Sequence, residues 1–244
     1  MVLQHLEPDC TDTVTIKGDQ TMRVNADFNE RILVRFKENE WIASPMPGVD
    51  RKMLDRIGEE VARATTIVRF APGSAFSAHT HDGGEEYLVI DGTFQDEGGD
   101  FPAGFYVRNP PTSSHTPAAQ DGATILVKLY QFDLADRTQV QVDSAKGDWL
   151  DAKDGVSRLP LHADMSETVA MERWDAGTAR TLDASDGLEI FVIDGSLNEG
   201  GDTLFRWDWL RLPVGARFEA TAGAHGARVW IKTGHLNHVT EPAA

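Results

Sequence analysis

Short runs of Val, Ile, Leu, Phe and Thr recur along the chain between glycines, prolines and acidic residues. Apolar runs of about four to eight residues bounded by turn formers suit a pleated surface, so the spacing predicts strands. They fall at Thr65 to Phe70, Glu86 to Ile90, Gly104 to Arg108, Thr124 to Phe132, Glu167 to Trp174, Leu188 to Ile193, Phe205 to Leu212 and Arg228 to Thr233. Helical periodicity is confined to Val49 to Val61. There Met53, Leu54, Ile57 and Val61 recur at three- and four-residue intervals and predict one short N-terminal helix. The alternation Phe205, Trp207, Trp209 reads as one buried face of a strand. The expected class is all-β.

The pattern is repeated. Glu85-Glu86-Tyr87-Leu88-Val89-Ile90-Asp91-Gly92 returns as Leu188-Glu189-Ile190-Phe191-Val192-Ile193-Asp194-Gly195, an offset of 103 residues. Arg69 to Ser74 answers to Arg173 to Thr178, and Glu97-Gly98-Gly99-Asp100 to Glu199-Gly200-Gly201-Asp202. Two copies of one β unit are therefore expected, residues 1–135 and 155–240, joined by a polar linker within Asp133 to Asp154.

Only the first copy carries a candidate ligand set. His79 and His81, at i and i+2 on an extended segment, project to one face. Glu85 follows after three residues, and Pro110, Pro111 and the turn after them would fold the chain back so that His115 reaches the same point. Imidazole nitrogen with carboxylate oxygen is a donor set for one divalent metal ion, with Fe(II), Zn(II), Mn and Ni all compatible. At the same offset the second copy has Leu182, Ala184, Leu188 and Phe218, which predicts an apolar core and no metal there. Glu86 alternates away from Glu85 and is expected at solvent or at an interface, while Tyr87 is expected to point inward. His235 and His238 have ligand-like spacing but read as a tail, and His5 and Cys10 are judged the same way.

The spacing G-x5-H-x-H-x3-E-x6-G from Gly73 to Gly92, followed by G-x5-P-x4-H from Gly104 to His115, resembles the two motifs of the cupin superfamily. Ala71-Pro72-Gly73, His81-Asp82-Gly83-Gly84-Glu85-Glu86, Phe94-Gln95-Asp96-Glu97 and Gly104 to Pro111 are similar to the ChrR-type cupins, over roughly residues 30 to 132. Ala119 stands where an Asn often closes the second motif. The resemblance implies two tandem double-stranded β-helix barrels, jelly-roll-like, the second degenerate, with His79, His81, Glu85 and His115 as metal ligands. It also implies two functional readings. One is a mononuclear non-heme dioxygenase acting on a small dicarbonyl or aromatic ketone, with Tyr87, Tyr106 and Arg108 as candidate catalytic residues and Phe76 and Lys128 as further pocket candidates. The other is a non-catalytic zinc-bound sensor related to anti-sigma factors. A sigma factor is not expected as partner, because no cysteine-bearing helical zinc domain is seen ahead of the first barrel. A metal-free structural bicupin ranks behind both readings.

Composition narrows the partners. Twenty-three Lys and Arg against 39 Asp and Glu give a net charge of −16, which repels nucleic acid and anionic lipid. No apolar run is long enough to span a membrane. The opening residues lack a basic start and an apolar stretch, and one cysteine cannot form an intrachain disulfide, so a reduced cytoplasmic protein is expected. A small-molecule ligand in the first barrel and homodimerisation through β edges complete the expectations.

Overall fold

The computed structural model describes residues 22–59 and 61–239; His5 and Cys10 lie outside them. The described residues are all-β, with no α-helix among them. An 11-stranded and a 9-stranded antiparallel sheet form two barrels, and a two-stranded ribbon completes the first.

The predicted helix at 49–61 is instead the strand Val49–Gly58. A register shift between Met53 and Asp55 breaks its two-residue alternation, which leaves buried Leu54 and Ile57 at a helix-like interval. The strand is also covered on both faces, with Asp55 and Arg56 buried, so polarity does not mark an outer side. Val61, counted in the helical stripe, is exposed. The run Phe205 to Leu212 is likewise two strands, Asp202–Phe205 and Trp209–Leu212. Trp207 sits between them at φ 71°, with Phe205 exposed and Trp209 fully buried.

The two barrels exchange one strand each. Ile32–Val34 pairs with Trp209–Leu212 of the second barrel, and Val140–Asp143 pairs with Phe105–Asn109 of the first. The stretch expected as linker thus contains a structural strand, and a second at Leu150–Asp151. Arg31 clamps its exchanged strand by donating to Glu199 at 2.7 Å and Asp202 at 2.9 Å.

Three apolar cores follow. Tyr87, Val89, Phe94, Val107, Ile125 and Val127 fill the first barrel. Leu188, Ile190, Val192, Leu210, Phe218 and Val229 fill the second. Between them lies a seam of Leu54, Leu88, Ile90, Tyr106, Met171, Phe191, Trp209 and Trp230. Alternation explains the partition: in Glu85–Asp96, Tyr87 and Val89 face the first barrel's interior, while Leu88 and Ile90 face the second barrel.

Buried charges cross this seam in both directions. Lys128 donates to Glu189 at 2.6 Å, and Lys232, its counterpart 104 residues on, donates to Glu86 at 2.5 Å. Tyr106 Oη donates to Glu86 and Trp209 Nε1 to Glu189, each at 3.1 Å, again from equivalent positions. Arg108 pairs with Asp136 and Glu167, and Arg211 with Asp55 at 3.1 Å. Burial opposes ionisation of Glu86 and Glu189, but Lys232 and Lys128 hold the two carboxyls below the usual range; Glu167 and Glu86 raise Lys232 against its burial, while burial lowers Lys128 despite Glu189. Glu86 is therefore an interface residue, as its alternation implied.

His235 belongs to this network rather than to a tail: its Nε2 donates to Glu189 at 2.8 Å and its side chain is buried. Burial pushes its pKa down to about 4, with Glu189 pulling the other way. The unfolded chain binds this proton near 6.5 and the folded one near 4. Stability from His235 is therefore full above pH 6.5 and is lost as pH falls toward 4. Urea titrations at pH 7.5 and 5 are expected to show that loss, and His235→Gln to reduce it. For the seam, Lys128→Met leaves Glu189 charged and without its main partner, and is expected to cost about 3–5 kcal/mol. The double variant Lys128→Met/Glu189→Leu is expected to recover most of that loss in the same titration.

Candidate metal centre

The first copy's ligand residues converge. His79–His81 and Ser113–His115 form the two-stranded ribbon, and its register sets His79 directly opposite His115 and His81 opposite Ser113. Alternation keeps His79 and His81 on one side. The three imidazole rings stand edge to face, with centroids 4.7, 5.0 and 4.9 Å apart. One nitrogen from each lies within 4.8 Å of the other two, a cluster able to hold a metal ion. Glu85 Oε2 comes to 3.5 Å from His81 Nε2 and 3.6 Å from His115 Nε2. His115 and Glu85 are buried, His81 is half-buried and His79 is exposed, so the centre opens to solvent on the His79 side.

Supporting contacts fix which nitrogens point inward. His79 Nδ1 donates to Ser77 O at 3.2 Å, and His115 Nδ1 donates to Asp96 at 3.3 Å. Each leaves Nε2 with its lone pair directed at the cluster. His81 Nε2 lies only 3.0 Å from His115 Nε2. Two imidazoles bound to one ion at about 2.0–2.1 Å, at a right angle, would be roughly 3 Å apart, so the spacing fits a shared cation. Burial, with the nearby His79 adding to it, pushes the His81 pKa down to about 4, which keeps its ring neutral and ligand-ready. Burial raises the Glu85 carboxyl, offset in part by His115 and by Asn109, whose Nδ2 donates to Glu85 at 3.4 Å. A cation would satisfy this weakly bonded carboxylate. The three imidazole nitrogens and their spacing fit a divalent ion, with Glu85 beside His81 and His115.

The remaining sequence candidates separate onto two faces. Tyr87 points into the first barrel, its hydroxyl buried without a hydrogen-bond partner. Burial, then the charges of Glu85 and Asp96, raise its pKa and keep it protonated. Phe76 packs on the same core, 5.5 Å from Phe70. Tyr106, Arg108 and Lys128, expected near the pocket, lie on the opposite face of the sheet and are occupied by the seam's carboxylates. The alternation that sends Glu85 inward sends them outward, since Arg108 and Lys128 both stand in register with Glu86.

Asp96 and Asn109 are supporting residues that the sequence reading passed over. Asp96 is out of phase with Glu85, because the ladder slips between Val89 and Asp91. After this bulge, Phe94 and Asp96 take the inward direction. The available signal was Gly92, which holds φ at +69° and where a Cβ would lie 2.2 Å from the Gly122 carbonyl oxygen. In the second barrel Leu182 stands opposite Phe218 as His79 stands opposite His115, and Leu182, Ala184, Leu188 and Phe218 all pack into its apolar core.

Two such barrels in tandem, one bearing an inward histidine cluster, define a bicupin architecture. The chain belongs to the ChrR cupin-like domain family, which matches it twice, over residues 29–133 and 137–237. No curated protein sequence matches it. Among solved structures, a Nostoc punctiforme protein, named provisionally as a dioxygenase, superposes with a TM-score of 0.69 at 14% identity, covering 88% of this chain and 87% of its own. The Escherichia coli pirin YhhW in complex with nickel(II) gives 0.58 at 14%, covering 84% and 99%. A variant of Bacillus subtilis oxalate decarboxylase OxdC gives 0.58 at 13%, covering 87% and 79%. At these identities the likenesses establish the fold.

His115 is the buried histidine of the cluster and shares its shortest contact with His81. His115→Ala is expected to lower metal content from about one ion per chain to under a tenth, measured by elemental analysis of protein purified without chelator. His238→Ala is expected to leave the content unchanged.

Proposed function

We propose that the chain is a mononuclear non-heme dioxygenase whose first barrel binds a small dicarbonyl or aromatic hydroxyketone. The observation that carries this reading is the three-histidine cluster with Glu85 beside it, open to solvent at His79. A structural zinc site closes its tetrahedron with four protein ligands, whereas a catalytic site keeps a coordination position open to water or substrate. A divalent ion held there supplies Lewis acidity toward a chelated carbonyl and, where redox-active, electron exchange with oxygen.

The chain's own groups supply the rest. His79, His81, His115 and Glu85 provide four donors and leave room for substrate on the exposed side. Phe94 lies 6.1 Å from the His115 ring and 5.0 Å from the Tyr87 ring, and Phe70 lies 5.4 Å from Phe94, which gives the buried side of the centre, at His115, an apolar wall. Such a wall excludes water and favours the flat apolar part of a conjugated diketone or aryl ketone. The Tyr87 hydroxyl keeps its proton and has no internal acceptor, so it is the donor available to a substrate oxygen. Asp96 acts through His115 by holding its ring.

Protein loaded with Fe(II) is expected to consume oxygen with pentane-2,4-dione or a related hydroxyaryl ketone, measured with an oxygen electrode. Tyr87→Phe is expected to lower kcat about ten- to a hundredfold while metal content stays at one ion per chain. A broad panel of such ketones that consumes no oxygen, together with zinc as the ion retained on purification, would overturn this reading in favour of the sensor.

A further inference from the structure

A cavity of about 630 Å³ lies at one end of the seam, and none of His79, His81, Glu85 and His115 lines it. It straddles the approximate twofold relation between the repeats: Arg63, Tyr130 and Gln131 of the first and Glu167, Gly234 and His235 of the second are equivalent positions 104 residues apart, and all six line it. Its size falls within the roughly 300–1,000 Å³ range of ligand sites. Phe132 and Leu134 add apolar wall, with Leu134 exposed at the edge.

Among the described residues, three of the nine buried side-chain polar atoms without a partner belong to residues of this cavity: Arg63 Nη1, Gln131 Oε1 and His235 Nδ1. Each such atom costs stability when left unmet. Their roles are fixed by what their neighbours do. Gln131 Nε2 donates to Ala64 O at 2.9 Å, so its Oε1 is the free acceptor. His235 Nε2 donates to Glu189, so its Nδ1 is a second acceptor. Arg63 is a cation 3% exposed, and its carboxylate neighbour Asp55 lies 3.9 Å away, already held by Arg211 at 3.1 Å and by the Thr65 amide at 2.9 Å. The cavity's own acids do not answer Arg63. Glu167 is engaged by Lys232 at 2.8 Å and Arg108 at 3.3 Å, and Asp133 Oδ1 accepts from the Ala135 amide.

We propose that this seam cavity binds a small hydroxy acid with an aromatic body. Its carboxylate would meet Arg63, its hydroxyl would donate to Gln131 Oε1 or His235 Nδ1, and its ring would lie against Phe132 and Tyr130. The two unmet acceptors distinguish this ligand from a plain anion, and the cation distinguishes it from a neutral phenol.

Calorimetric titration of the full-length, metal-loaded protein with 4-hydroxybenzoate, benzoate and phenol tests the assignment. 4-Hydroxybenzoate is expected to bind, and the other two at least about tenfold more weakly, as loss of a charged or paired hydrogen bond implies. Arg63→Met is expected to weaken it by about tenfold or more. Leu134→Trp, a change at an exposed position, is expected to obstruct the cavity and weaken binding likewise, with the core untouched. His115→Ala is expected to leave it intact. Absence of 4-hydroxybenzoate binding, equal binding of all three probes, or affinity unmoved by Leu134→Trp would overturn the proposal. So would loss of binding in His115→Ala, which would place the acid at the histidine cluster.

Discussion

Two adjacent carboxylates leave one strand in opposite directions, and the architecture turns on that alternation. Glu85 points inward to the histidines, while Glu86 points outward, buried, to Lys232 of the other barrel. The strand Glu85–Asp96 is bonded along both edges, to Phe105–Asn109 and to Ala123–Leu129, so a one-residue slip would have to move three strands together. Such a slip would place Glu86 among the histidines and Glu85 against the second barrel. Metal geometry and barrel docking are therefore set by the same register.

Duplication explains the seam's symmetry and the site's asymmetry. At the seam both copies keep equivalent chemistry, with Glu86 matched by Glu189, Lys128 by Lys232 and Tyr106 by Trp209. Inside the barrels the copies diverge, histidines in one and Leu182, Leu188 and Phe218 in the other. An apolar interior gains about 1.5–3 kcal/mol per large side chain buried, whereas imidazoles and a carboxylate cost free energy unless a cation meets them. The second barrel thus keeps an apolar interior while the first keeps the histidine cluster. Exchange of Ile32–Val34 and Val140–Asp143 ties the two together through backbone hydrogen bonds as well as side chains.

Much of this was legible in the residues. Strand punctuation, the 103-residue repeat and the spacing of His79, His81, Glu85 and His115 are local features, and alternation alone separated Glu86 from Tyr87. Less visible was whatever depends on a bulge or on the partner barrel. The slip near Met53 imitated a helix, and the one past Val89 hid Asp96. Tyr106, Arg108 and Lys128 looked like pocket residues because polar groups on a strand suggest a site. The partners of Arg108 and Lys128, namely Glu167, Asp136 and Glu189, lie in the other repeat or in the connecting segment, which no local pattern reveals. His235 was misread for the same reason, since the carboxylate that buries it is distant in sequence.

The central claim is that three imidazoles and Glu85 share one ion, and X-ray absorption at the metal edge of protein purified without chelator reads this directly. The account predicts a first shell of nitrogen and oxygen at roughly 2.0–2.2 Å with the multiple-scattering signature of three imidazoles. A first shell with sulfur, or with no more than one imidazole, would contradict it.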